Sequence, residues 1–132
     1  MKTDKESLEK LKSIFKERWD IDLHIYEDQF HKTDMYFEWN GRLRDIEVKK
    51  RRFNSDKYPT TIINLQKYNE LVFRDAILVV MFDDCWYLCK DVRSAYVKCT
   101  EMYARWTTDF GGDYCWSAKV ELDLNKFTRY EY

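Results

Sequence analysis

The stretch TDMYFEWNGRLRDIEVKKRR, residues 33–52, holds the only Asn-Gly pair of the chain, Asn40-Gly41. A two-residue type I′ turn needs positive φ at both central positions, and Asn-Gly accepts this readily. The flanks, Met35–Trp39 and Arg42–Val48, are rich in aromatic and branched residues, which suit a pleated surface. The spacing predicts two antiparallel strands joined by that turn. A two-residue loop sets register: Trp39 faces Arg42, Met35 faces Ile46 and Asp34 faces Glu47. Direct partners share a face, with Cβ atoms about 4.5–5.5 Å apart. Lys49, two residues beyond Glu47, falls on that same face. So does Asp45, as a third acid or as the partner of a neighbouring Arg. Like charges directly opposed weaken a ladder, so the pair calls for a cation, either Lys49 or a divalent metal. Two carboxylates, a backbone carbonyl and water suit Mg²⁺. A scan for acid, any residue, lysine finds Glu47-Val48-Lys49 alone. The competing explanation is an ordinary Glu and Lys ladder on a solvated hairpin.

Upstream, residues 3–18 predict a helix, with Leu8, Leu11, Phe15 and Trp19 in one apolar stripe. Thr3 and Glu6 have the spacing of a capping box. Residues 21–26 alternate apolar and polar, which predicts a strand with His24 on its polar phase. Downstream, residues 60–73 follow Pro59 and predict a second helix. The run AILVVMF, residues 76–82, reads as a strand buried on both faces, closing a right-handed crossover unit. CWYLCK, residues 85–90, predicts the next strand after Asp83-Asp84. Val92, Ala95, Tyr96, Cys99, Tyr103 and Trp106 fit a helix starting at Asp91. Thr107–Tyr114, with Gly111-Gly112, predicts a loop. Val120, Leu122 and Leu124 alternate with polar residues, which predicts a last strand at a sheet edge. The fold class expected is α/β (α+β): a mixed central sheet flanked by helices, with a C-terminal extension, in one domain spanning 1–132.

Composition sets limits. The 23 Lys and Arg nearly cancel the 24 Asp and Glu, a net charge of -1, so any basic surface must be local. No apolar run approaches the roughly 18 residues of a membrane helix, and the N-terminus lacks a signal-peptide core. A cytoplasmic location is expected, with Cys85, Cys89, Cys99 and Cys115 as free thiols. They contain no CxxC pair, which disfavours zinc. Ten Tyr, eight Phe and five Trp suit either base stacking or a core of large rings. Trp19 and Trp86 are assigned to the core, and Trp106 to neither.

Helix, strand, strand with Asp, strand with ExK, helix, strand resembles the PD-(D/E)XK nuclease superfamily. The resemblance covers roughly residues 3–90. Its motif residues are Asp34, then twelve residues, then Glu47-Val48-Lys49, with Lys50-Arg51-Arg52 trailing. Thr33 stands where the family pattern has proline. The kind of member suggested is a small restriction-endonuclease-like or Holliday-junction-resolvase-like one, and a phage or mobile-element origin would suit it. The resemblance implies a metal-dependent endonuclease that hydrolyses phosphodiester bonds, with DNA as the expected nucleic acid. Asp34, Glu47 and the Val48 carbonyl would bind Mg²⁺ or Mn²⁺, and Lys49 would orient water or stabilise charge on phosphorus. Glu9 is a candidate accessory acid from the first helix. Lys67 is favoured over Gln66 as a phosphate contact from the second helix, and Arg51 could meet a phosphate beside the metal. A homodimer would let so small a domain address two strands. The alternative is a non-catalytic nucleic-acid-binding, adaptor or inhibitor protein on the same fold, which the near-zero charge favours and the intact Asp, Glu and Lys do not.

Overall fold

The computed structural model describes residues 4–28, 30–108 and 111–132, with side chains throughout these ranges except in 102–116. Among the described residues there are two α-helices and nine strands, an α+β fold built on a mixed sheet.

Helix α1 spans Lys5–Trp19. Its N-cap is Asp4, whose carboxylate accepts from the Ser7 N–H at 2.9 Å. Asp caps well because its short side chain satisfies an otherwise orphaned donor. This replaces the expected Thr3 and Glu6 box; Thr3 lies outside the described residues. The expected strand over 21–26 shrinks to β1, His24–Ile25, with Leu23 already buried in the core.

The hairpin forms as predicted. β2 is Met35–Trp39 and β3 is Arg42–Lys50. Asn40 and Gly41 have φ of 52° and 77°, the signs a type I′ turn requires. The ladder runs from Trp39↔Arg42 to Met35↔Ile46. β5, Ile77–Met81, is buried at every position and lies parallel to β3. β6, Cys85–Cys89, returns antiparallel beside it. A strand not anticipated, β9 (Thr128–Glu131), pairs with β6 at the sheet edge. The six-stranded order is β1-β2-β3-β5-β6-β9.

The predicted helix over 60–73 divides. Its first third is strand β4, Thr60–Asn64, and the rest is helix α2, Leu65–Arg74. Thr60-Thr61-Ile62-Ile63 is a run of branched residues whose stiff side chains favour extended backbone. Asn64 then caps the helix, its side chain accepting from the Lys67 N–H at 2.6 Å. The predicted helix from Asp91 to Trp106 is not formed either. A short 3-10 turn, Val92–Ala95, leads into strand β7, Tyr96–Thr108. β8, Gly111–Asp123, pairs with it from Tyr96↔Leu122 to Thr108↔Gly111, so the expected loop over Thr107–Tyr114 is largely strand. The expected edge strand over 120–125 is the end of β8, which is central in the sheet β4-β8-β7.

Two cores result. Leu8, Leu11 and Phe15 of α1 pack on Met35, Ile46, Val48, Val79 and Trp86 on one face of the six-stranded sheet. Leu78 and Val80 on the other face meet Leu71 of α2 with Ile63, Val120 and Leu122 of the second sheet. Trp86 is fully buried, stacked on Tyr130 with ring centroids 4.5 Å apart. Trp19 is 38% exposed, its ring edge-on to Phe15, Trp86 and Tyr130. Cys85 and Cys89 are buried free thiols and Cys99 is an exposed one. The Trp106 and Cys115 side chains lie outside the described residues. No described helix is long and apolar enough to cross a membrane.

Trp86→Ala should cost about 3–5 kcal/mol in urea denaturation, the usual range for removing a buried ring. Phe73, 86% exposed on α2, is the control: Phe73→Ala should stay within about 0.5 kcal/mol.

Candidate active site

The alternation of β3 sends Ile46 and Val48 to the α1 face. Asp45, Glu47 and Lys49 therefore face α2. Asp34 immediately precedes β2, and here the ladder changes. The Asp34 N–H bonds the carbonyl of Ile46 at 3.1 Å, although Ile46 is already the partner of Met35. Two residues of one strand thus oppose one of the other, as in a β-bulge. The Asp34 carboxylate accepts from the Val48 N–H at 2.9 Å, so a side chain supplies what the ladder otherwise would. The expected simple register, Asp34 opposite Glu47, is therefore replaced by a bulge, yet the two acids still meet.

Both are buried, Asp34 at 2% and Glu47 at 4% exposure. Burial, together with the hydrogen bond and charge of Asp34, pushes the Glu47 carboxyl up to about 7. Lys67 opposes this and is outweighed, although its Nζ lies 2.6 Å from Glu47 Oε2. Lys67 also donates to the Lys32 carbonyl at 2.5 Å, which ties α2 to the segment leading into Asp34. Gln66 is exposed, so of the two candidates on α2 it is Lys67 that reaches the acids.

Lys49 lies on the same face as Glu47, half-buried, and makes no ion pair or side-chain hydrogen bond among the described residues. Arg51 points its guanidinium at the Ile62 carbonyl, 2.8 Å away, and so joins β3 to β4. Asp45 pairs with an Arg, one of its two expected fates. It meets Arg74 at 3.4 Å and accepts from the Tyr26 hydroxyl at 2.5 Å. Tyr26 in turn stacks on His31, with centroids 3.5 Å apart. Tyr26 and Arg74 had no signal in the sequence, because strand pairing and helix docking alone bring them to Asp45. Glu9, exposed on α1, lines a groove of about 550 Å³ that also contains Asp34, Lys5, Lys12 and Tyr36.

Among the described residues no group of three or more His, Cys, Asp or Glu side chains is placed to hold a metal. The oxygen set available is smaller: two carboxylates and a carbonyl. In a strand the N–H and C=O of one residue point to the same side. The Val48 carbonyl therefore faces the side on which Asp34 accepts from its N–H. Hard oxygens, two of them ionisable and mutually repelling, fit a divalent ion that keeps several waters.

The raised Glu47 carboxyl has a measurable consequence. Folded protein keeps a proton that unfolded chain releases near 4.5, so stability falls as pH rises from there through about 7. In chelator-containing buffer, Glu47→Gln should flatten the dependence of Tm on pH between about 5 and 7.5. Parallel curves for the two proteins would show that Glu47 titrates normally.

No protein-family model, curated protein or solved structure matches the chain, so the reading of this site rests on its own residues.

Proposed function

We propose that the protein is a divalent-metal-dependent nuclease that hydrolyses phosphodiester bonds in nucleic acid, with DNA as the favoured substrate. The observation that carries this reading is the pair of buried carboxylates, Asp34 and Glu47, with an uncommitted lysine on the same strand face. Burying two acids together costs free energy unless a cation accompanies them. A purely structural site has no evident need for both. The element order α1-β1-β2-β3-α2-β5, interrupted by a 3-10 turn (Ser55–Lys57) and β4, supports the PD-(D/E)XK resemblance.

In this reading Asp34, Glu47 and the Val48 carbonyl hold Mg²⁺ or Mn²⁺. The ion, when bound, lowers the pKa of its water and polarises the phosphate. The Val48 N–H orients Asp34. Lys67 holds Glu47 in place. Lys49, whose ammonium has no ion pair among the described residues, meets the charge that develops on phosphorus, where a fixed cation is worth most. Glu9 stands in the Asp34 groove as the accessory acid, and Arg51, held by a β4 carbonyl, is a weaker candidate for phosphate contact than the sequence suggested.

One observation favours the second reading, a non-catalytic nucleic-acid-binding, adaptor or inhibitor protein. Lys67 already compensates Glu47 at 2.6 Å, so the acids have a cation without any metal. The two readings separate cleanly. Mn²⁺ titrated calorimetrically should bind wild type and not Asp34→Asn. Lys49→Ala should leave Tm and the Mn²⁺ isotherm unchanged while cleavage of branched or plasmid DNA falls by at least about a hundredfold, the usual scale for losing a preorganised charge. Equal cleavage by both proteins would remove the catalytic claim. No Mn²⁺ binding at millimolar concentration would leave the second reading.

A further inference from the structure

The opposite face of the six-stranded sheet carries a second feature. α1 is one helix, about 10–12 Å across with its side chains. Six strands spaced about 4.8 Å apart span roughly 25 Å. A single helix cannot cover that width, and near its C-terminal end a cleft of about 420 Å³ remains. Phe37, Ile77 and Leu88 line it from the sheet, and Phe15, Trp19 and Ile21 from α1 and the residues after it. Trp39, 58% exposed, stands beside it next to the turn.

The polar lining has one sign. Arg42, Arg44 and Lys90 contribute, and among the described residues no carboxylate does. Arg42 is neutralised by Asp75 at 2.6 Å. Arg44 is different: its guanidinium donates to two backbone carbonyls, Asp75 at 3.2 Å and Lys90 at 3.4 Å, and to no acid. Lys90 has no ion pair among the described residues. Among the described residues, two positive charges without a carboxylate partner therefore stand at an apolar cleft walled by Trp and Phe rings.

We propose that this cleft is a binding site for a small planar aromatic anion, its ring among Trp19, Phe37 and Trp39 and its acidic group on Arg44 and Lys90. The volume falls within the range of small-ligand sites, about 300–1,000 Å³. Aromatic walls favour an aromatic occupant. A guanidinium already aimed by two carbonyls is preorganised for an anion, so little side-chain entropy is lost on binding. A carboxylic acid and a nucleotide share this chemistry. The site lies across the sheet from Asp34 and Glu47, and the proposal does not depend on metal or nuclease activity.

Calorimetry with 1-naphthoate, its neutral isostere 1-naphthamide, and adenosine 5′-monophosphate tests it on the full chain. The naphthoate should bind at submillimolar concentration and the amide about tenfold or more weaker, the scale of a charge-assisted hydrogen bond. Arg44→Gln and Lys90→Gln should each weaken the anion severalfold and leave the amide unchanged. Lys90→Gln removes a surface charge only, so it stays informative if Arg44→Gln loosens the sheet end. Tighter binding of the nucleotide than of the naphthoate assigns the site to a base and phosphate; the reverse assigns it to an aromatic acid. Equal affinity for naphthoate and amide, or no binding of any anion at millimolar concentration, overturns the proposal.

Discussion

Two carboxylates set side by side in a protein interior repel one another and have both lost water. Asp34 and Glu47 are in that position, and the surrounding structure supplies what water would have supplied. The Val48 N–H, released from the ladder by the bulge at Asp34, donates to Asp34. Lys67 brings a full charge to Glu47. Lys67 is in the first turn of α2, so its position depends on the Asn64 cap and hence on where β4 stops. Asp45, one step along β3, has its own partners in Tyr26 and Arg74. Among the described residues, charges on this face are thus met locally, except for Lys49. An ammonium left uncommitted amid otherwise paired groups is what separates this cluster from an ordinary buried ion-pair network.

The parts of the fold legible in the sequence are those encoded by near neighbours. Asn40-Gly41 specifies a turn of one geometry, and the strands on either side inherit their register from it. β5 was legible because five consecutive buried positions leave an apolar run with no polar phase. β6 follows after two aspartates. The candidate acids could be placed together for the same reason, since they lie within a few residues of the same turn. The bulge could not be read, because a ladder hydrogen bond and a side-chain hydrogen bond look alike in sequence.

β4 and β7 were misread as helix for a different reason. Their partner is β8, and Thr60 pairs with Asp123 while Tyr96 pairs with Leu122. Nothing near Thr60 announces a partner more than sixty residues away. The local clue was present but weak: Thr61 and Ile63 are buried while Ile62 is exposed, a period of two within a branched run. Four residues of that pattern also fit one side of a helix, and the helical stripe that follows in α2 extended the wrong period backwards. In Asp91–Trp106 the aromatic residues happen to recur at helical spacing. Cross-strand pairing along twelve residues of β8 outweighs that coincidence. Lys67 was half legible, as a residue of α2, but its contact with Glu47 depends on how α2 sits over the sheet.

β3 joins the two surfaces of interest. Its residues alternate, so Asp45, Glu47 and Lys49 turn towards α2 while Arg44 and Arg42 turn towards the aromatic cleft beside α1. The acid face is closed by α2 and the second sheet, which explains how two carboxylates come to be nearly solvent-free. The basic face is closed by one helix only, which leaves rings and guanidinium groups accessible. A slip of one residue at the turn would exchange the faces, sending Ile46 and Val48 out of the α1 core and the carboxylates into it. The positive φ of Asn40 and Gly41 guards against that slip. The same local constraint therefore sets hydrophobic packing on one side of β3 and the gathering of charge on the other, which is why neither can drift without the other.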